Sequence, residues 1–88
     1  MGCWKDEGDR AVPEYQGSPQ KDGSIVEGCF EIAKGLGNEI FAIQNGGECW
    51  SSKSAIETYN KYGASENCKE GKGGGWANSV YVIKGNHD

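Results

Sequence analysis

The order of apolar and polar positions along the chain predicts two helices and several short strands. The clearest segment opens at Ser24-Ile25-Val26-Glu27. This is a capping box: the Ser24 hydroxyl can accept from the N–H at the third helical position, and Glu27 can reach back to the Ser24 N–H. Beyond it, Ile25, Cys29, Ile32, Ala33 and Leu36 recur at i, i+4, i+7, i+8 and i+11, which is one helical face. Gly37-Asn38 supplies the stop. The spacing predicts a helix over 25–36 with Cys29 on its buried stripe. A second capping box, Ser54-Ala55-Ile56-Glu57, predicts a shorter helix over 55–62, ended by Gly63.

Glu39 to Gln44 reads as a strand, and the Asn45-Gly46-Gly47 that follows sets its register. A two-residue loop would place apolar Ile43 against charged Glu48. A three-residue loop with a glycine in the left-handed region places Gln44 opposite Glu48, Ile43 opposite Cys49 and Ala42 opposite Trp50. The longer loop sorts the faces: Phe41, Ile43 and Cys49 on one, Ala42, Gln44, Glu48 and Trp50 on the other. Ser79 to Ile83 is a β-rich run suited to a central strand. Cys3-Trp4 predicts a short first strand, and Pro13 confines any strand over 10–13 to an edge or an end. Segments 14–23 and 64–75 read as loops, the second anchored by Cys68. Residues 84–88 read as a frayed tail. The predicted class is α+β in a single domain, 1–88: a small, mostly antiparallel sheet with one main and one short helix packed on it.

Composition changes this picture in one respect. Of 88 residues, 35% are hydrophobic and 15 are glycine, so the core is thin for the entropy it must offset. Cys3, Cys29, Cys49 and Cys68 supply the missing stability if they pair. Two disulfides contribute about 2–4 kcal/mol each. Zinc is the competing reading, and it fails because no CxxC pair occurs and the gaps are 25, 19 and 18 residues. An even cysteine count in a short, glycine-rich chain points to an oxidising compartment. Spacing alone leaves all three pairings open.

Net charge is −4 without a Lys/Arg cluster, which disfavours nucleic acid and anionic membrane surfaces as partners. No run reaches transmembrane length, so membrane insertion is not expected. Met1-Gly2-Cys3 lacks the basic and apolar regions of a signal peptide, so a secreted form implies a mature or excised segment. There is no Asn-x-Ser/Thr sequon.

Catalysis is not expected, and no cofactor is. The one histidine, His87, lies in the tail, and Ser51 and Ser52 have no base partner in the sequence. Asp6, Glu7 and Asp9 around Gly8 are a weak calcium candidate; a polar turn in which Asp6 or Asp9 pairs with Arg10 is the favoured reading. Aromatics are the better lead. Trp4, Trp50, Trp76, Tyr15, Tyr59, Tyr62 and Tyr81 are many for so small a core. Trp50 with Gln44, Glu48 and Asn45 combines a stacking surface with planar polar groups, and Trp76 and Asn78 could border it. Core filling is the competing role for all three tryptophans. The face argument makes Trp50 the one with the best claim to exposure, and it places Trp4 in the core.

Four stretches, GCWKD (2–6), DRAVP (9–13), VEGCFEIAKGLGNEIFAIQNGGECWSS (26–52) and SVYVI (79–83), together resemble the WSC domain, a small relative of the PAN/apple modules. The chain departs from that pattern in having about half the usual cysteines, with Ser51 where another cysteine normally falls. The resemblance implies an extracellular, non-catalytic module that binds carbohydrate. It also implies pairing of the helix with the central strand, Cys29–Cys49, which leaves Cys3–Cys68. Alternatives are a protein-binding adhesion or receptor module, or a secreted inhibitor or toxin-like protein acting through 14–23 or 66–75. The partner is therefore a glycan or an extracellular protein, and the oligomeric state is open.

Overall fold

A computed structural model describes residues 2–83. The expected tail 84–88, with His87, lies outside the described residues. The elements run β1 (Gly2–Lys5), α1 (Ile25–Leu36), β2 (Ile40–Gln44), β3 (Glu48–Trp50), α2 (Ala55–Thr58), β4 (Cys68–Lys69), β5 (Lys72–Gly73) and β6 (Ala77–Val82). Four strands form an antiparallel sheet in the order β1-β6-β2-β3, and β4 and β5 form a separate two-stranded ribbon. The α+β architecture and the central place of β6 agree with the sequence.

Helix α1 has the expected bounds. The Ser24 hydroxyl accepts from the Glu27 N–H at 3.2 Å. At the other end Gly37 turns left-handed (φ 77°), and the Asn38 and Gly37 N–H groups donate to Ala33 and Lys34 carbonyls. These are the two bonds of a Schellman stop. Gly28 is needed for close approach, since a Cβ there would meet the Pro19 carbonyl oxygen at 2.4 Å. The apolar stripe covers one face of the sheet, where Ile25, Cys29 and Ala33 pack with Phe41, Ile43, Cys49 and Ile83. Leu36, at the end of the stripe, is exposed.

The hairpin has the three-residue register: Gln44 opposes Glu48, Ile43 opposes Cys49 and Ala42 opposes Trp50. Its second face, however, is not a free surface. Every residue of β2 is buried, and Ile40, Ala42 and Val80 pack there with Val12 and Ala55. Trp4, Trp50, Ile56 and Tyr59 close that cluster, with Trp4 edge-on to Tyr59. Segment 10–13 forms no strand; Ala11 and Val12 instead enter the second core fully buried. Segment 14–17 runs along the outer edge of β3, where Gln16 N–H donates to the Cys49 carbonyl and Cys49 N–H to the Gly17 carbonyl. An otherwise open sheet edge is thereby covered.

Two expectations need correction. The second helix ends at Thr58, and Ser54 is itself helical with no side-chain cap. The chain continues to Gly63 in turns, with Lys61 N–H to Thr58 and Gly63 N–H to Asn60. Thr58 Oγ1 donates to the Ala11 carbonyl, so tertiary contacts rather than a cap hold this turn. Segment 64–75 is not all loop. Glu70 and Gly71 both adopt positive φ (54° and 79°), which closes the β4–β5 ribbon in a primed turn. Glu-Gly is a weak signal for that turn, which usually begins with Asn or Asp.

Both disulfides are formed, Cys3–Cys68 and Cys29–Cys49. One pins β1 to the ribbon. The other pins α1 to β3 inside the first core.

Candidate functional site

Arg10 is the centre of the candidate site. Its guanidinium lies between two indoles, 4.4 Å from the Trp50 ring centroid and 4.7 Å from that of Trp76. Cation–π attraction of this kind is worth about 0.5–2 kcal/mol per contact. Tyr15 packs on Trp50 at 5.1 Å between centroids. The planar, weakly hydrated guanidinium suits this slot as an ammonium would not.

Asp6 fixes Arg10 from behind. It follows β1, and its N–H donates to the Trp76 carbonyl at 2.9 Å. Its side chain is fully buried. Arg10 Nη1 donates to Asp6 Oδ2 at 2.9 Å and to Gln44 Oε1 at 3.2 Å. Gln44 Nε2 donates to Asp6 Oδ2 at 2.8 Å and to Asn78 Oδ1 at 3.0 Å. Ala11 N–H donates to Asp6 Oδ1 at 2.8 Å. Burial alone would raise the Asp6 pKa. The Ala11 N–H, Arg10, Gln44 and the Glu7 N–H outweigh it and hold the carboxyl below its usual value.

The rim is built by the hairpin and by Trp76. Glu48 Oε1 accepts from Trp50 Nε1 at 3.2 Å, and Glu48 Oε2 accepts from Asn45 Nδ2 at 3.4 Å. Asn45 takes the left-handed conformation its turn requires (φ 52°). Trp76 is also left-handed (φ 56°), which is costly for a bulky residue, by about 1–3 kcal/mol. Its carbonyl is held by Asp6 and the Ala77 N–H by Gly74, so the surrounding bonds impose the strained backbone. Trp76 is nonetheless 55% exposed. Arg10, Gln44, Asn45, Glu48, Gly75 and Trp76 line an open depression of ≈ 290 Å³.

The six residues singled out from the sequence therefore share one neighbourhood, but in unequal positions. Asn45, Glu48 and Trp76 form the rim. Gln44 is 3% exposed and forms the floor. Asn78 is fully buried beneath it, and its Nδ2 has no hydrogen-bond partner among the described residues. Trp50 is half-buried against Arg10 and Tyr15, and the exposed indole is Trp76. Sequence reasoning gave Arg10 a structural ion pair, which it has. It did not reveal the indole sandwich or the part played by Tyr15, because three segments distant in sequence meet there.

The other candidates are dispersed. Asp6 is turned inward and Asp9 accepts from Lys61, so Asp6, Glu7 and Asp9 do not converge. Among the described residues no three His, Cys, Asp or Glu side chains are grouped as metal ligands. Ser51 is buried, donating to the Ile40 carbonyl and accepting from Asn38. Among the described residues no helix is long and apolar enough to cross a membrane. No protein-family model, no curated protein and no solved structure matches the chain.

Proposed function

We propose that this chain is an extracellular, non-catalytic binding module of the WSC-like kind, and that it takes a saccharide in the depression between Trp76 and the β2–β3 hairpin. The observation that carries the proposal is Trp76. A large indole is held exposed, on a strained backbone, beside a fan of planar polar groups. Strain retained at an exposed aromatic is expected where the side chain has a task. Sugar rings present C–H faces that stack on indoles, and hydroxyls that pair with amide, carboxylate and guanidinium groups. The two disulfides suit an oxidising compartment, which supports the extracellular placement. A protein-binding module would call for about 800 Å² of contact. Among the described residues, the exposed large apolar side chains, Tyr15, Leu36, Trp76 and Val82, come instead from four separate segments.

A glycan array run with the oxidised protein beside Trp76→Ala tests this. The wild type should show saccharide binding, and the variant should lose about 2 kcal/mol, or ~30-fold, as expected of an exposed stacking residue at a binding centre. Undiminished binding in the variant would move the site elsewhere. A blank array for the wild type would favour the protein-binding reading.

A further inference from the structure

We infer that the saccharide taken here is uncharged, and that Glu48, with Asp6 behind Arg10, is what turns acidic sugars away; the inference rests on the saccharide reading above. An arginine in a binding depression ordinarily suggests an anionic ligand, because its fork fits a carboxylate. Here one buried carboxylate already matches the charge of the guanidinium, through Nη1 alone. Asp6 Oδ2 sits 2.9 Å from Arg10 Nη1, and the Asp6 side chain is fully buried. Among the described residues, Arg10 is the only cationic one lining the depression. Glu48 stands at the rim, with its two oxygens directed to Trp50 and Asn45. One positive charge thus faces two negative ones. An incoming carboxylate would meet a compensated guanidinium and an uncompensated Glu48, and like charges brought together oppose binding.

The hydrogen-bonding inventory points the same way. Both hydrogens of Gln44 Nε2 are committed, to Asp6 and Asn78, and its Oε1 accepts from Arg10. Gln44 therefore holds the others in place and has little left to offer a ligand. What remains is complementary. Arg10 Nε and Nη2 are donors without a protein acceptor among the described residues. Glu48 is acceptor-only. A hydroxyl can accept from the first and donate to the second; a carboxylate can do only the former. Adjacent hydroxyls on a neutral ring, stacked against Trp76, complement both Arg10 and Glu48.

The test is an array carrying each neutral oligosaccharide beside its sialylated or uronate counterpart, probed with the wild type and Glu48→Gln. The quantity read is the acidic-to-neutral ratio within each protein, so any general loss of affinity in the variant cancels. The wild type should bind acidic members at least about tenfold more weakly, and Glu48→Gln should narrow that gap by about tenfold, of the order of one charge–charge contact across solvent in an open depression. Wild-type binding should also change little between low and moderate salt. A preference for acidic sugars, or a ratio unchanged in the variant, would overturn the inference and leave the saccharide reading standing. No binding to any saccharide would overturn both.

Discussion

Reduction of the two disulfides is expected to unfold the protein at 25 °C. Cys3–Cys68 spans 65 residues and Cys29–Cys49 spans 20. Chain-entropy arguments give about 4 and about 3 kcal/mol for loops of those lengths. A domain of this size has only about 5–15 kcal/mol in total, and a thin core favours the low end. Losing both cross-links therefore removes most or all of the margin. Far-ultraviolet circular dichroism and tryptophan emission, followed with and without a phosphine reductant, would report it. Reduced protein whose unfolding free energy from urea titration stayed within about 1 kcal/mol of the oxidised form would show that the two cores suffice alone.

Asp6→Ala should be the most damaging single substitution at the site. It strips a partner from Arg10, from the Ala11 N–H and from Gln44 at once. Breaking a fully buried pair costs about 3–5 kcal/mol, and the 28% exposure of the Arg10 side chain reduces this to about 2–4. The pH dependence follows from the sign of the shift. The folded-state pKa of Asp6 lies below the ordinary carboxylate value of 3.8, so its ionised form contributes stability that is present above that value. The contribution is lost as pH falls through the folded-state value. The stability gap between wild type and variant should thus be full at pH 7 and shrink progressively below pH 3.8. Urea unfolding at several pH values measures the gap; one that stayed constant would show that the loss comes from packing and not from the charge.

Local signals in the sequence carried much of the fold. The Ser24 cap, the 3.6-residue stripe and Gly37-Asn38 delimit α1 because each acts over a single turn. The Asn45-Gly46-Gly47 loop set the β2–β3 register because a slip would have put Ile43 against Glu48. The α2 boundary was less legible, since a Thr58 bond to Ala11 replaces the side-chain cap that Ser54 suggested. The second core was hidden for a similar reason. Val12 is buried by contacts to Ile40, Ala42 and Val80, not by any period of its own segment.

The site was legible as a set of residue types and not as an arrangement. Trp50, Gln44 and Glu48 share a strand face, and that much follows from alternation. That Gln44 lies on the floor, that Asn78 is beneath it and that Trp76 is the exposed indole all depend on how Asp6 and Arg10 fold over the sheet. The only local trace of that fold is the Asp6–Arg10 spacing, which a solvated turn would share.

The most direct test of the central claim is a nitrogen-15 NMR titration of the oxidised protein with the neutral oligosaccharide that gives the strongest array signal. Three indole N–H resonances, from Trp4, Trp50 and Trp76, report separately on the second core, the sandwich and the rim. The largest shift is expected at Trp76, a smaller one at Trp50 with the Asn45 side-chain amide, and none at Trp4. A saturable shift centred on Trp4 or on the 66–75 segment, with Trp76 unmoved, would contradict it.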